Sequence, residues 1–272
     1  MFTYQGKTAL ITGASSGIGR AFAHALARRG MSVVLVARSE ERLRALATEL
    51  SERHGIRAEV IPADLSQQEA IRHIQNEVKQ RGLTVDLLVN NAGFATNGYF
   101  EGLSPERDHD QVMVDVTAVV DLTHAFVPAL LERSPGAAII NIASTAAFQP
   151  LPYMAVYGAS KAFVLSFSQA LAEEYRTRGL CVLALCPGST ETAFFDVVGE
   201  AASFGRRRAP EQVVATGLRA LERGRSVTID GFFNTLAAQL TRFFPRRFIT
   251  RMAGLSIRPR QLPGVEQRSA HQ

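Results

Sequence analysis

Two rhythms of apolar residues alternate along the chain. Short unbroken runs of Val, Ile, Leu and Ala recur at 7–12, 32–37, 57–62, 86–90, 137–143, 180–186 and 226–229. Continuous runs of this kind are expected of strands covered on both faces. Between them, apolar positions repeat at helical spacing over 17–29, 40–54, 67–81, 105–132, 154–178 and 210–223. Strand–helix alternation predicts an α/β fold: a doubly wound parallel sheet of about seven strands, with right-handed crossovers that put helices on both faces. No Pro/Ser linker or short repeat interrupts the order, so residues 1–230 read as one domain, followed by a tail over 231–272.

Composition changes this picture little. The chain has 272 residues, 46% hydrophobic and 20% charged, which is enough to bury a sizeable core. No apolar stretch approaches the length of a membrane span. The first strand begins so near Met1 that no room for a signal peptide precedes it, and a cytoplasmic location is the expectation. Cys181 and Cys186 lie five apart in one strand, on opposite faces and on the order of 16 Å apart, so they cannot pair with each other.

Charge is informative only by its placement. The net charge is +5, yet residues 231–272 hold seven arginines against Glu266 alone. The remainder, with 23 basic and 24 acidic side chains, is nearly neutral. The basicity belongs to the tail, and nothing resembles a zinc, helix-turn-helix or RNP pattern that would indicate nucleic acid. The six histidines match no site motif, and no His/Cys/acid cluster has metal-ligand spacing, so no metal is expected.

The first strand runs directly into Thr12-Gly-Ala-Ser-Ser-Gly-Ile-Gly19 and then into a helix. Small residues there let a pyrophosphate approach the backbone, and the helix start offers free N–H groups and a positive dipole end. The turn thus marks a Rossmann-type nucleotide site, with Gly13, Ser15, Ser16, Ile18 and Gly19 as binding candidates. NAD-binding proteins usually carry an acid at the end of the second strand. Here Ala37 and Arg38 stand instead, and a guanidinium can grip a 2′-phosphate, which points to NADP(H).

Tyr157 and Lys161 are four apart in a predicted helix and so share one face. A nearby ammonium favours the phenolate and would bring the tyrosine toward a useful range for acid–base work. Ser144 follows the fifth strand at the carboxyl end of the sheet, where open α/β folds bind ligands, and can hold a carbonyl oxygen.

With these pieces in place the chain resembles the short-chain dehydrogenase/reductase family. Thr12–Gly19, Asp64-Leu65, Asn90-Asn-Ala-Gly93, Ser144, Tyr157 with Lys161, and Pro187-Gly-Ser-Thr-Glu-Thr192 occur in the family's order and at its spacing, over about residues 5–230. The resemblance implies that Tyr157 is the general acid–base, that Lys161 tunes it and holds the nicotinamide ribose, and that Ser144 fixes the substrate oxygen. It implies that Asp64 and Leu65 meet the adenine, and that Asn90, Asn91 and Gly93 line the cofactor cleft. Pro187, Gly188, Thr190 and Thr192 would close over the nicotinamide. It implies a homodimer or homotetramer built on the helices over 105–132 and 154–178. One position departs: the family usually has an Asn in the long fourth helix, and Asp115 stands here. A buried carboxylate near Lys161 would alter the tyrosine's ionisation.

Phe94, Phe148, Leu151, Tyr153, Met154, Phe194 and Phe195 flank the catalytic candidates, which suggests an apolar carbonyl or alcohol substrate, such as a ketone, aldehyde, steroid-like or fatty carbonyl. The loop over 192–208 is a candidate lid. In the tail, apolar residues over 236–252 repeat at helical spacing on either side of Pro245. They predict a broken amphipathic helix packed on the domain or a partner, with weak membrane-surface contact as the sharper reading. Two other functions compete with an NADP(H)-dependent oxidoreductase. One is a non-catalytic NADP(H)-binding sensor or scaffold, favoured only by Asp115. The other is a sugar-nucleotide epimerase or dehydratase, which would need two rather than three residues after the first glycine.

Overall fold

The computed structural model describes residues 2–192 and 207–258. Seven parallel strands form one sheet in the order β3-β2-β1-β4-β5-β6-β7: β1 Thr8–Thr12, β2 Ser32–Ala37, β3 Ala58–Pro62, β4 Leu87–Asn90, β5 Ala138–Ile142, β6 Cys181–Cys186 and β7 Val227–Ile229. Each predicted run of apolar residues is a strand. The α/β doubly wound architecture is the one expected, and it reverses direction between β1 and β4.

Strand alternation divides the core into two layers. Ala9, Ile11, Val33 and Leu35 face one side, and Leu10, Val34 and Val36 the other. The first side is covered by α1 (Gly17–Ala27), α2 (Glu40–His54) and α7 (Pro210–Glu222), through Phe22, Leu26, Leu43, Leu50, Leu218 and Leu221. The second is covered by α3 (Ala70–Gln80), α5 (Ala118–Glu132) and α6 (Ala155–Glu174), through Ile74, Leu122, Phe126, Leu130 and Leu171. Cys181 and Cys186 are both free, and burial pushes the Cys186 thiol up to about 12, so it packs rather than reacts.

Local chemistry sets the helix ends. α2 starts with Glu40 and Glu41, ends with Arg53 and His54, and stops at Gly55 with φ 64°, the left-handed conformation that glycine adopts without steric cost. The segment expected as one helix over 105–132 is two. α4 (Pro105–Val112), capped by Ser104, gives way to a π turn over Met113–Thr117 before α5 begins. By length and composition Pro105–Glu132 could cross a bilayer, but its Ala118, Leu122, Phe126 and Leu130 are buried against the sheet.

After β7 the chain forms α8 (Phe232–Leu240), a short 3-10 turn, and α9 (Arg246–Ile257). Its root is anchored by Asp230, a fully buried carboxylate that accepts from Thr216 Oγ1 at 2.7 Å and pairs with Arg208 Nε at 2.7 Å. Asn234 Nδ2 donates to the Asp230 carbonyl at 2.7 Å. Phe194 and Phe195, most of the 192–208 loop, and the tail beyond 258 lie outside the described residues.

Phe22 is fully buried beneath the first side of the sheet. Phe22→Ala is expected to cost about 3–5 kcal/mol, read by urea unfolding. A loss under about 1 kcal/mol would mean that α1 is not packed as described.

Candidate active site

The carboxyl ends of β1 and β4 part where the sheet order reverses, and Thr12 bridges them. Its Oγ1 accepts from Asn91 N at 2.9 Å and Ala92 N at 3.0 Å, and its carbonyl accepts from Asn91 Nδ2 at 2.8 Å. The glycine turn is pressed against this clasp. Gly13 has φ 64°, and a Cβ there would sit 2.8 Å from Asn91 Nδ2. A Cβ on Gly19 would collide with the Gly13 carbonyl, and one on Gly17 would lie 2.9 Å from Thr192 Cγ2. The turn therefore leaves its amides uncovered at the start of α1, whose first turn carries no acid.

A cavity of about 750 Å³ runs from this turn to the far end of the sheet. Gly13, Ser15, Ser16 and Ile18 line it, with Arg38, Asp64 and Leu65 at one end and Ser144, Tyr157 and Lys161 at the other. Asn91 and Gly93 form its middle, and Pro187, Gly188, Thr190 and Thr192 its opposite wall. Three candidates sit elsewhere. Gly19 lies behind the turn. Asp115 is fully buried behind Gly93. Asn90 points away from the cleft: its Nδ2 donates to Asn141 Oδ1 at 2.9 Å, and Asn141 Nδ2 donates to Ser168 Oγ at 2.9 Å. This buried ladder fastens β4, β5 and α6 together. Of the apolar flanking residues, Phe94, Leu151 and Met154 line the cavity, whereas Phe148 packs beside Ala143 and Val164. Tyr153 adopts φ 64° and stacks edge-on to Tyr99.

At the catalytic end α6 carries Tyr157 and Lys161 one turn apart. Lys161 Nζ lies 5.6 Å from the Tyr157 ring centre, 3.3 Å from the Ile142 carbonyl and 3.4 Å from Asp115 Oδ2. Ser144 Oγ accepts from Ala146 N at 3.1 Å, which leaves its proton free to point at an oxygen, and it hydrogen-bonds to Tyr157. Burial pushes the Tyr157 phenol up. The Lys161 charge and the Ser144 hydrogen bond pull it down, and the Asp115 charge pushes it up again.

Asp115 occupies the middle of the π turn. Its Oδ1 accepts from Phe94 N at 3.1 Å, and its Oδ2 lies 3.4 Å from Lys161 Nζ with no hydrogen-bond donor among the described residues. Burial raises this carboxyl, opposed by Lys161 and the Phe94 amide. A Cβ on Gly93 would lie 2.7 Å from Asp115 Oδ1 and 3.1 Å from Lys161 Nζ, so glycine there is a condition of the pair.

Among the cavity residues that sequence reading missed are Arg42 and Asn234. Arg42, in the first turn of α2, lines the Arg38 end of the cavity. Asn234 reaches the Gly188 wall from α8, which no local pattern foretells.

The short chain dehydrogenase family model matches residues 7–202, and the chain belongs to this family. It is 38% identical over 191 residues to human (Homo sapiens) 17-beta-hydroxysteroid dehydrogenase type 3, covering 69% of this chain and 60% of that protein. It is also 38% identical over 187 residues to the very-long-chain 3-oxoacyl-CoA reductase of Anas platyrhynchos, covering 67% and 59%. The chain thus spans about 60% of the length of these two curated relatives. Among solved structures, a short-chain dehydrogenase from Sphingobium yanoikuyae in complex with NADPH superposes with TM-score 0.78 at 33% identity, covering 96% of this chain and 99% of that one. Other matched structures hold NAD or NADH.

The Asp115 charge pushes the Tyr157 phenol up, so removing it brings the phenol down and favours the phenolate. In the alcohol-oxidising direction, where the phenolate would be the base, Asp115→Asn is expected to shift the rising limb of the kcat/KM–pH profile to lower pH. Superimposable profiles for the two proteins would contradict this.

Proposed function

We propose that the chain is an NADP(H)-dependent oxidoreductase that interconverts an alcohol and a carbonyl on an apolar substrate. One observation carries the reading: Ser144, Tyr157 and Lys161 converge at one end of a cavity whose other end is a glycine cradle at a helix start. The bound cofactor supplies or accepts the hydride. Ser144 holds the substrate oxygen. Tyr157 gives its proton to that oxygen in reduction and takes it back in oxidation, and the Lys161 cation stabilises the phenolate between the two.

The fit to NADP(H) rests on the chain's own residues. The turn at 13–19 has no room for a Cβ at Gly13, Gly17 or Gly19, which lie against Asn91, Thr192 and the turn's own backbone, so the main chain can come close to a pyrophosphate. Arg38 and Arg42 line the end of the cavity beyond β2, and Ala37, not an acid, closes that strand, where a carboxylate would repel a 2′-phosphate. The NADPH-bound relative supports the same choice. The apolar substrate is supported by Phe94, Ala95, Leu151 and Met154 on the cavity wall, and by relatives named for hydroxysteroids and long-chain 3-oxoacyl groups. Phe163 and Phe167 stack on the outer side of α6, with Phe163 exposed, which suits a second copy of the chain packing there.

Two variants test the reading. Arg38→Ala is expected to weaken NADPH binding about ten- to hundredfold, the loss of one charged hydrogen bond to phosphate, and to leave NADH nearly unchanged. Fluorescence titration reads this, and an equal effect on both cofactors would remove the NADP(H) preference. Tyr157→Phe is expected to abolish turnover of apolar ketones while NADPH still binds. NADPH binding without turnover even in the wild type would favour a cofactor-sensing module instead.

A further inference from the structure

The outer face of α8, α9 and the turn between them is covered by no part of the described structure. Phe232, Phe233 and Phe243 are 77%, 82% and 80% exposed, and Leu236, Leu240, Phe244, Phe248, Met252 and Leu255 are exposed beside them. Surfaces this apolar mark interaction sites. The inner face is committed: Ile257 is fully buried with Leu151 and Met154, Ala253 packs beside it, and Gly254 lies against Pro152. The helices are thus fixed on the substrate end of the cavity, with their apolar side turned outward.

Charge decides what the outward side fits. Residues 231–258 contain Arg242, Arg246, Arg247, Arg251 and Arg258 and no acid. A two-fold interface between copies would set this patch against itself, arginines against arginines, with no carboxylate from the patch to answer them. A bilayer bearing anionic headgroups answers both features: phenylalanines enter the headgroup–acyl boundary and guanidiniums meet the phosphates. We propose that α8 and α9 form a docking surface for anionic lipid membranes. Docked this way, the protein holds the wall of its substrate cavity one helix away from the lipid, a source of apolar substrate. The docking itself does not depend on the proposed chemistry.

The test is flotation of the full chain with equimolar phosphatidylcholine–phosphatidylglycerol vesicles and with phosphatidylcholine alone. Wild-type protein is expected to float with the anionic vesicles and much less with the neutral ones. Raising the salt from about 0.1 M to about 1 M should weaken it, as screening shortens from ~10 to ~3 Å. Phe233→Ser/Phe243→Ser and Arg242→Glu/Arg247→Glu/Arg251→Glu should each reduce binding about tenfold or more. Both variants should keep the wild-type Tm and NADPH affinity, since the changed residues are exposed and outside the cavity. Absence of wild-type flotation, or equal flotation of folded variants, would overturn the proposal. So would sedimentation equilibrium showing that the wild type self-associates and ignores vesicles, and that the phenylalanine variant is monomeric; the face would then join two copies.

Discussion

Where a parallel sheet reverses direction, its two central strands have no crossover helix between their carboxyl ends, and the gap must be held open without coming apart. Thr12 does this here. One hydroxyl accepts two backbone amides from the end of β4, and the Thr12 carbonyl takes the Asn91 side chain. The clasp satisfies buried polar groups that would otherwise be costly. It also sets the close approach that makes Gly13 and Gly19 obligatory, since a methyl group at either would strike Asn91 or the turn itself. The open cradle at the start of α1 is a consequence of how tightly two strands are tied.

The chemistry at the other end depends on a second buried tie. Asn90, Asn141 and Ser168 link β4, β5 and α6 in a line of hydrogen bonds, which fixes the helix that carries Tyr157 and Lys161 against the strand that delivers Ser144. Lys161 then faces two demands. Its charge lowers the Tyr157 phenol, and its nearest anion, Asp115, works against that effect from 3.4 Å away. A buried pair of this kind costs desolvation of both ions, and the mutual attraction offsets it only in part. Asp115 therefore opposes the pull of Lys161 on the tyrosine.

Much of this was legible in the sequence, for physical reasons. Strands buried on both faces read as unbroken apolar runs, so β2 and α2 fall where the pattern puts them. The glycine turn was legible because its steric demand leaves a compositional trace. The π turn was not: one wider turn inside 105–132 leaves apolar periodicity nearly intact, yet it carries Asp115 into the interior. Asn90 was grouped with Asn91 because they are adjacent in a motif, but successive strand residues point to opposite sides, and only Asn91 reaches the cleft. The tail's helical spacing was readable from Leu236. Its start at Phe232, and the reach of Asn234 to Gly188, follow from tertiary packing that no local pattern records.

The central claim is that one cavity brings a nicotinamide and an apolar carbonyl to Tyr157. The most direct measurement is isotope transfer. The protein would be incubated with NADPH carrying deuterium on the nicotinamide ring carbon that donates hydride, together with apolar ketones, both steroid-like and long-chain, and the products read by mass spectrometry. The account predicts deuterium on the new carbinol carbon, from one face of the cofactor only. Alcohol product without deuterium, or cofactor bound with no alcohol formed from any ketone, would contradict it.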